Sequence, residues 1–390
     1  MNSKIIFLFF AFTTFLGCQT NNINYPELNE QTGNEIQKLI DQLPEQGGEV
    51  KLTEGTYVID QPLKLKNNVW LHGSGRSTIL SVSDSIGIIL DSLNGAKVSD
   101  LVVKSAVRQG ANTGILINNS GDIQLHSVLT QGFEKYGIWV RNNTFLSEIS
   151  SCTSADNGRA NYFFERLTSR GRVGDFVPNI VNNCYSYGGQ YGFEFKNALV
   201  INLTGCSVFQ SLDHAYYLYS SSNSINISGS RSFQAGSDAI YIDDSHEVNI
   251  SSNIICWQRG HGIVLNNAKW GTVASNNFID NGTRTRDGSY RNGVVLQNDT
   301  KGIHITSNAI FNWGDQPPME YGITEDATCV NNLIAHNNIN YYTKDGIMSA
   351  GKGTLVSDNI MNESSYIGLD RKQKYPDFDT TRLHNFMLNQ

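Results

Sequence analysis

Along most of this chain the apolar residues fall in short clusters, too brief and too regularly interrupted for amphipathic helices. A small residue followed by apolar ones recurs at Gly114-Ile115-Leu116, Gly137-Ile138-Trp139 and Gly192-Phe193, then at Ala215, Ala239, Gly262, Gly293, Gly322 and Gly346. From Gly192 onward the steps are 23, 24, 23, 31, 29 and 24 residues. A second marker keeps nearly the same beat: Ser252-Asn253, Ser275-Asn276, Ser307-Asn308 and His336-Asn337. Each unit reads as two or three short β-branched strands separated by Asn, Gly and Ser turns. A unit of this size cannot bury an apolar face alone, whereas stacked units share one continuous core.

The pattern therefore predicts an all-β chain, a right-handed parallel β-helix with coils over about 50–362. A leucine-rich repeat would need a Leu and Asn spacing that is missing, and a propeller blade would be longer. Asparagine at a fixed place in each turn is expected to bond its counterparts on neighbouring coils, as amides do in stacked ladders. The longer steps place insertions at 283–291 and 315–319, loops projecting from one side. Ahead of the coils, Ile36, Leu39, Ile40 and Leu43 fall at i, i+3, i+4 and i+7, which predicts a cap helix over 33–43 on the open apolar end. Residues 364–390 lose the repeat and are expected to wrap the other end, within a single domain over 32–390.

Composition sharpens this picture. Charged residues make up only 17% of the chain and glycines number 36, a turn-rich β composition rather than a disordered one. A formal charge of −7 gives no basic footprint, so nucleic acid is not an expected partner. It leaves room for an anionic polymer, because a local basic cleft can sit on an acidic body. Cys152, Cys184, Cys206, Cys256 and Cys329 form no CxxC pair and lie beside apolar or small residues, which suits buried inert thiols rather than a zinc site. Asp243 and Asp244 follow a strand end and read as solvated turn residues rather than a calcium site. No cofactor or metal is expected.

The first residues carry a basic Lys4 and an apolar run from Ile5 to Leu16, about half the length that spans a bilayer. The run ends in Phe15-Leu16-Gly17-Cys18, which resembles a bacterial lipoprotein signal. The resemblance implies a signal peptide over 1–17, a lipidated Cys18, a polar tether over 18–31 and a lipid-anchored place in the cell envelope. The other reading is an ordinary secretion signal that happens to hold a cysteine.

The order Gly47-Gly48-Glu49-Val50-Lys51-Leu52, Glu54-Gly55-Thr56-Tyr57 and Leu71-His72-Gly73-Ser74-Gly75 is similar to the N-terminal stretch of the pectate-lyase-like β-helix superfamily. The resemblance runs from about 33 to about 362 and implies the fold and a polysaccharide or oligosaccharide substrate. It does not fix the reaction.

In a β-helix one register position on successive coils forms a column, with neighbours ~4.8 Å apart. The residue before each small anchor gives Thr113, Tyr136, Tyr191, His214, Asp238, His261, Asn292, Tyr321 and Asp345. One residue earlier stand Asn112, Lys135, Gln190, Asp213, Ser237, Gly260, Arg291, Glu320 and Lys344. Imidazoles, carboxylates, phenols and an arginine converge over the middle coils, as a catalytic groove requires.

Part of the column resembles the polygalacturonase family. Leu212-Asp213-His214, Gly236-Ser237-Asp238 and Gly260-His261-Gly262 match its three motifs in spacing, with Gly-His-Gly intact. Ser237 and His214 replace two of its three catalytic aspartates, so the inverting hydrolase mechanism, which needs paired carboxyls, does not transfer. The remaining groups suit β-elimination on a uronate: a base (His214 or His261), a proton donor (Tyr191 or Tyr321) and a cation for the carboxylate (Arg291 or Lys135). The catalytic candidates are His214, Asp238, His261 and Arg291; the substrate-binding candidates are Lys135, Tyr191, Asp213, Glu320 and Tyr321. Three functions stay open: a polysaccharide lyase or an epimerase sharing its proton abstraction, a glycoside hydrolase using Asp213, Asp238 or Glu320, and a non-catalytic glycan-binding lipoprotein. Trp139, Trp257, Trp270 and Trp313 are either sugar platforms or packing residues.

Overall fold

The computed structural model describes residues 32–167, 177–282, 292–312 and 319–362. They build a right-handed parallel β-helix of about 12 turns, with one short helix in front. Each coil contributes a strand to a 12-stranded parallel sheet, while the other strands form two further ladders joined at their corners. Between Gly114 and Gly346 the described residues contain no helix.

Alternation explains which side of each strand is buried. In Asn223–Ser228, Ile225 and Ile227 point into the solenoid while Asn226 points out. Inward side chains of one register stack along the axis: Tyr162 on Phe193 at 4.4 Å between ring centroids, and Phe193 on Tyr216 at 5.4 Å. The result is one core running the length of the molecule. The helix Gly33–Gln42 starts at Thr32, whose hydroxyl accepts from the Glu35 N–H. Its buried Ile36 and Ile40, with Leu39 and Leu43 beside them, close the first coil. At the far end Val356 and Met361 occupy inward positions yet stay exposed, because no further described coil covers them.

The second sequence marker is a corner. Ser252, Ser275, Ser307 and His336 all adopt φ of 59° or 58°, a left-handed turn costing about 1–2 kcal/mol for a residue with a side chain. The asparagine that follows offsets it. The Asn276 side-chain amide donates to Asn308 Oδ1 at 3.0 Å and to the Ile250 carbonyl at 3.0 Å, and Asn253, Asn308 and Asn337 repeat the pattern. Earlier coils fill the same column with Ser230 and then Cys206, Cys184 and Cys152, whose strands pair in register. These thiols are buried and unpaired as disulfides, donating weakly to backbone carbonyls.

One coil escapes the small-residue pattern. Tyr162 pairs with Ile138 on one side and Phe193 on the other, so a full coil lies between the anchors Gly137 and Gly192. Its anchor position holds Asn161, a buried amide bonded to Ser186, Tyr187 and Gly188, in place of a small residue. Of the expected insertions, 283–291 and 315–318 fall outside the described residues, and Met319 begins the strand Met319–Glu325.

Candidate active site

The outer face of the 12-stranded sheet carries the column predicted from sequence. Register pairs Tyr136 with Thr113 and Ala160, and Ala160 with Tyr191. Phe193, Tyr216, Ile240, Ile263, Val294 and Ile323 then pair in sequence, which aligns the residues two places before them: Tyr191, His214, Asp238, His261, Asn292 and Tyr321. Tyr321 pairs with Asp345.

His214 is the centre of the cluster. Its Nδ1 lies 3.5 Å from Asp238 and its Nε2 lies 3.5 Å from Asp213, ion-pair distances too long for good hydrogen bonds. Nδ1 is buried and has no hydrogen-bond partner. The ring stacks between Tyr191 and Tyr241, at 6.2 and 4.8 Å, and tilts against Tyr217 at 5.4 Å. Tyr217 and Tyr241 occupy the next outward position along their strands, a column the sequence reading did not single out. Their alternation with the inward Tyr216, Leu218, Ile240 and Ile242 was the available signal.

Asp238 is nearly buried, and one of its oxygens accepts from the His261 N–H at 2.6 Å. This contact explains the first glycine of Gly-His-Gly, because a Cβ at Gly260 would sit 2.4 Å from Asp238 Oδ1. The second glycine serves packing: a Cβ at Gly262 would meet the Gly293 carbonyl and the Phe278 ring, each at 2.5 Å. His261 Nδ1 accepts from the Asn292 N–H at 2.9 Å. That bond fixes the neutral tautomer with its proton on Nε2, so His261 presents a donor rather than a base.

Tyr191 takes a hydrogen bond from the Gln190 amide at 3.1 Å. Burial first, then the charges of Asp213 and Glu194, pushes its phenol up to about 12, so it keeps its proton at neutral pH. Burial also raises Tyr217 and Tyr241.

The overlooked coil supplies a cation. Arg159 stands between Lys135 and Gln190 in the second column and forks onto the fully buried Glu194, Nε to Oε2 at 3.0 Å and a terminal nitrogen to Oε1 at 2.6 Å. The same nitrogen approaches the Tyr219 hydroxyl at 3.3 Å, and that hydroxyl donates to Glu194 at 2.8 Å. Two of the guanidinium's five N–H groups lie on its other terminal nitrogen, outside these bonds. Hydrogen bonding to Glu194 raises the Arg159 pKa above its ordinary value against the opposing effect of burial.

The structure thus brings Tyr191, Asp213, His214, Asp238 and His261 together and separates the rest. Exposed Lys135 lies three coils from Asp213, and Tyr321 three coils from Asp238, each about 14 Å along the axis. Glu320 is engaged by Lys344 at 2.8 Å. Arg291 and Trp313 lie outside the described residues, as does Cys18. Asp243 and Asp244 bond the amides of Asn266 and Asn267. Among the described residues no three His, Cys, Asp or Glu side chains gather as metal ligands, and no helix is long and apolar enough to cross a membrane.

By fold and side-chain placement this is a parallel β-helix with a polar, aromatic-lined outer face, and comparison with known proteins agrees on the fold. The A-module of Azotobacter vinelandii mannuronan C-5 epimerase AlgE6 aligns with 86% of this chain and 97% of its own, at 15% identity and a TM-score of 0.65. The A-module of AlgE4 from the same organism covers 88% of this chain and 98% of its own, at 15% identity and a TM-score of 0.57. A tailspike protein variant of E. coli bacteriophage HK620, in complex with a pentasaccharide, covers 85% and 74%, at 11% identity and a TM-score of 0.58. In sequence, the family described as periplasmic copper-binding protein (NosD) matches residues 174–314. No curated protein matches the chain in sequence.

Proposed function

We propose that this protein is a cell-envelope enzyme acting on an acidic, uronate-containing polysaccharide by removing the proton α to a sugar carboxylate. The observation that carries this reading is the His214 imidazole, held between two carboxylates and ringed by tyrosines on an outer face, with Arg159 in the neighbouring column two coils upstream. His214 takes the proton through Nε2, the nitrogen nearer the less buried Asp213. The free edge of Arg159 holds the sugar carboxylate as negative charge builds on it. Tyr191, protonated at neutral pH, delivers a proton.

If that proton goes to the leaving glycosidic oxygen, the outcome is β-elimination and chain cleavage. If it returns to the sugar carbon from the opposite face, the outcome is epimerisation without cleavage. The elimination reading is primary. The second is left open by Tyr191, a protonated phenol stacked on His214 from the neighbouring coil. The likeness to mannuronan epimerase modules supports a fold able to house either outcome. A hydrolase needs two available carboxyls. Here Asp238 is spent on His261 and faces His214, while Glu320 is engaged by Lys344.

The copper in the NosD description finds no donor set among the described residues, because the thiols lie inside the solenoid bonded to backbone carbonyls. No step here uses it. That family's periplasmic description supports an envelope location, and the Cys18 signal supports a lipid anchor there.

The test is incubation with polymannuronate, polyguluronate, polygalacturonate and sulfated glycans in deuterated water. Ultraviolet absorbance of an unsaturated product reports elimination, and deuterium at the α carbon of an uncleaved chain reports epimerisation. New reducing ends without absorbance would establish hydrolysis instead. Binding with no product would establish a glycan-binding lipoprotein.

A further inference from the structure

Upstream of His214 the same outer face carries a second polar cluster. Trp139 lies tilted on Tyr136 at 4.9 Å between ring centroids, and the Arg141 guanidinium sits over the Trp139 ring at 4.3 Å. Two donors here are buried without any hydrogen-bond partner: Trp139 Nε1 and Arg141 Nε. Leaving such groups unmet is costly, so folded chains rarely keep two side by side without a purpose. The nearby carboxylate does not meet them. Glu165 is 4.0 Å from a terminal nitrogen of Arg141 and 3.8 Å from Lys196, both beyond hydrogen-bond reach.

Register relates this cluster to the proposed site. Arg141 pairs with Glu165, Glu165 with Lys196 and Lys196 with Tyr219, so Arg141 stands three coils before the coil that holds His214. That is about 14 Å along the axis, a span that an extended chain of a few pyranose units covers. Between the two clusters lie Arg159 and Lys196, whereas the coils after His214 present Asp238 and Asp243 on this face. With Glu194 balancing Arg159 and Glu165 lying between Arg141 and Lys196, this face keeps a small cationic excess on its N-terminal side and is acidic on its C-terminal side.

We infer that Trp139 and Arg141 form a distal subsite that binds the carboxylate of a uronate residue in the same chain whose reacting unit lies over His214. Trp139 supplies an unmet N–H and a ring on which Arg141 stacks, which orients the planar guanidinium for a carboxylate. The polymer then extends from the reacting residue towards the N-terminal coils, where the field favours it. The inference rests on the uronate reading above and adds the direction and length of the bound chain.

Binding of a disaccharide and an octasaccharide of mannuronate or galacturonate to the full chain, measured by calorimetry, tests it. The parent should bind the octasaccharide at least tenfold more tightly than the disaccharide. Arg141→Ala should remove about tenfold of that preference, the effect of losing one charged hydrogen bond. Trp139→Phe keeps the ring and deletes only the N–H, so it should lower the same ratio while melting like the parent. It also carries the test should Arg141→Ala not fold. A ratio unchanged in the folded variants would overturn the subsite and leave the uronate reading standing. A parent that binds neither oligosaccharide would overturn both.

Discussion

Glu194 is fully buried although it lies on the outward side of its strand, because Arg159 forks over it with bonds of 3.0 and 2.6 Å. The carboxylate is shielded by the very group that balances it. Arg159→Leu would strand that charge. Removing one partner of a buried pair costs about 3–5 kcal/mol, and the half-exposed guanidinium puts this case at about 3 kcal/mol. Glu194→Gln keeps an acceptor for Arg159 and should cost less. Urea midpoints for the two variants check the order, and reversal would mean that the pair contributes little.

His214 should carry the chemistry rather than the fold. His214→Ala is expected to lower turnover on the identified substrate by about 10²-fold or more, the usual worth of a positioned base. The melting temperature should stay close to that of the parent, because the core lies on the other side of the sheet. Gly260→Ala reaches the same site indirectly. Its Cβ would collide with Asp238 Oδ1, so activity should fall although no functional group is removed. Parental turnover in either variant would move the site elsewhere.

The tyrosines of this face set a pH dependence. Tyr191 is pushed up to about 12 from an ordinary 10, and burial also raises Tyr217, Tyr219 and Tyr241. Below pH 10 folded and unfolded chains both keep these protons. Above it the unfolded chain releases them while the folded one holds on, so stability must fall as pH rises. Melting temperature should decline from about pH 10 upward, with the share of tyrosinate absorbance that Tyr191, Tyr217, Tyr219 and Tyr241 contribute appearing only as the fold is lost. Free titration of these phenols near pH 10 in the folded protein would contradict the burial described.

Localisation is tested at Cys18. Cys18→Ser should abolish lipid labelling and release the protein from membranes, since removal of the signal leaves no other anchor in the proposed scheme. Unchanged partitioning of the variant would remove the lipoprotein reading.

The coils were legible because a period near 23 residues is imposed by geometry: each turn needs its apolar strand positions and its corner. The Asn ladder shows in the sequence for the same reason. The column of His214, Asp238 and His261 followed from the anchors, since register passes unbroken from coil to coil. Arg159 was missed because its coil bears Asn161 where others bear glycine or alanine, and hydrogen bonds in place of small size leave no compositional mark. Which tautomer His261 adopts depends on the Asn292 N–H, a contact between residues 31 apart. No reading of spacing supplies it.

The Asn ladder makes the sharpest claim about stability. Asn308 is buried and uses its whole amide: Oδ1 accepts from the Asn276 backbone and side chain, each at 3.0 Å, and the amide nitrogen donates to Asn337 and the Val273 carbonyl, each at 2.9 Å. Asn308→Ala would leave the Asn276 backbone N–H and one Asn276 side-chain N–H unmet in the core. At about 1–3 kcal/mol for each such group, a loss of about 3 kcal/mol is expected. Asn359 ends the ladder, where its amide is half-buried and water can substitute, so Asn359→Ala should cost about 1 kcal/mol. Asn308→Asp is the discriminating variant. It preserves shape and both acceptors but deletes the donors, and it buries a charge beside Asn337 Oδ1. It should be at least as damaging as alanine. If all three variants melt together, the corners rather than the amides hold the coils in register.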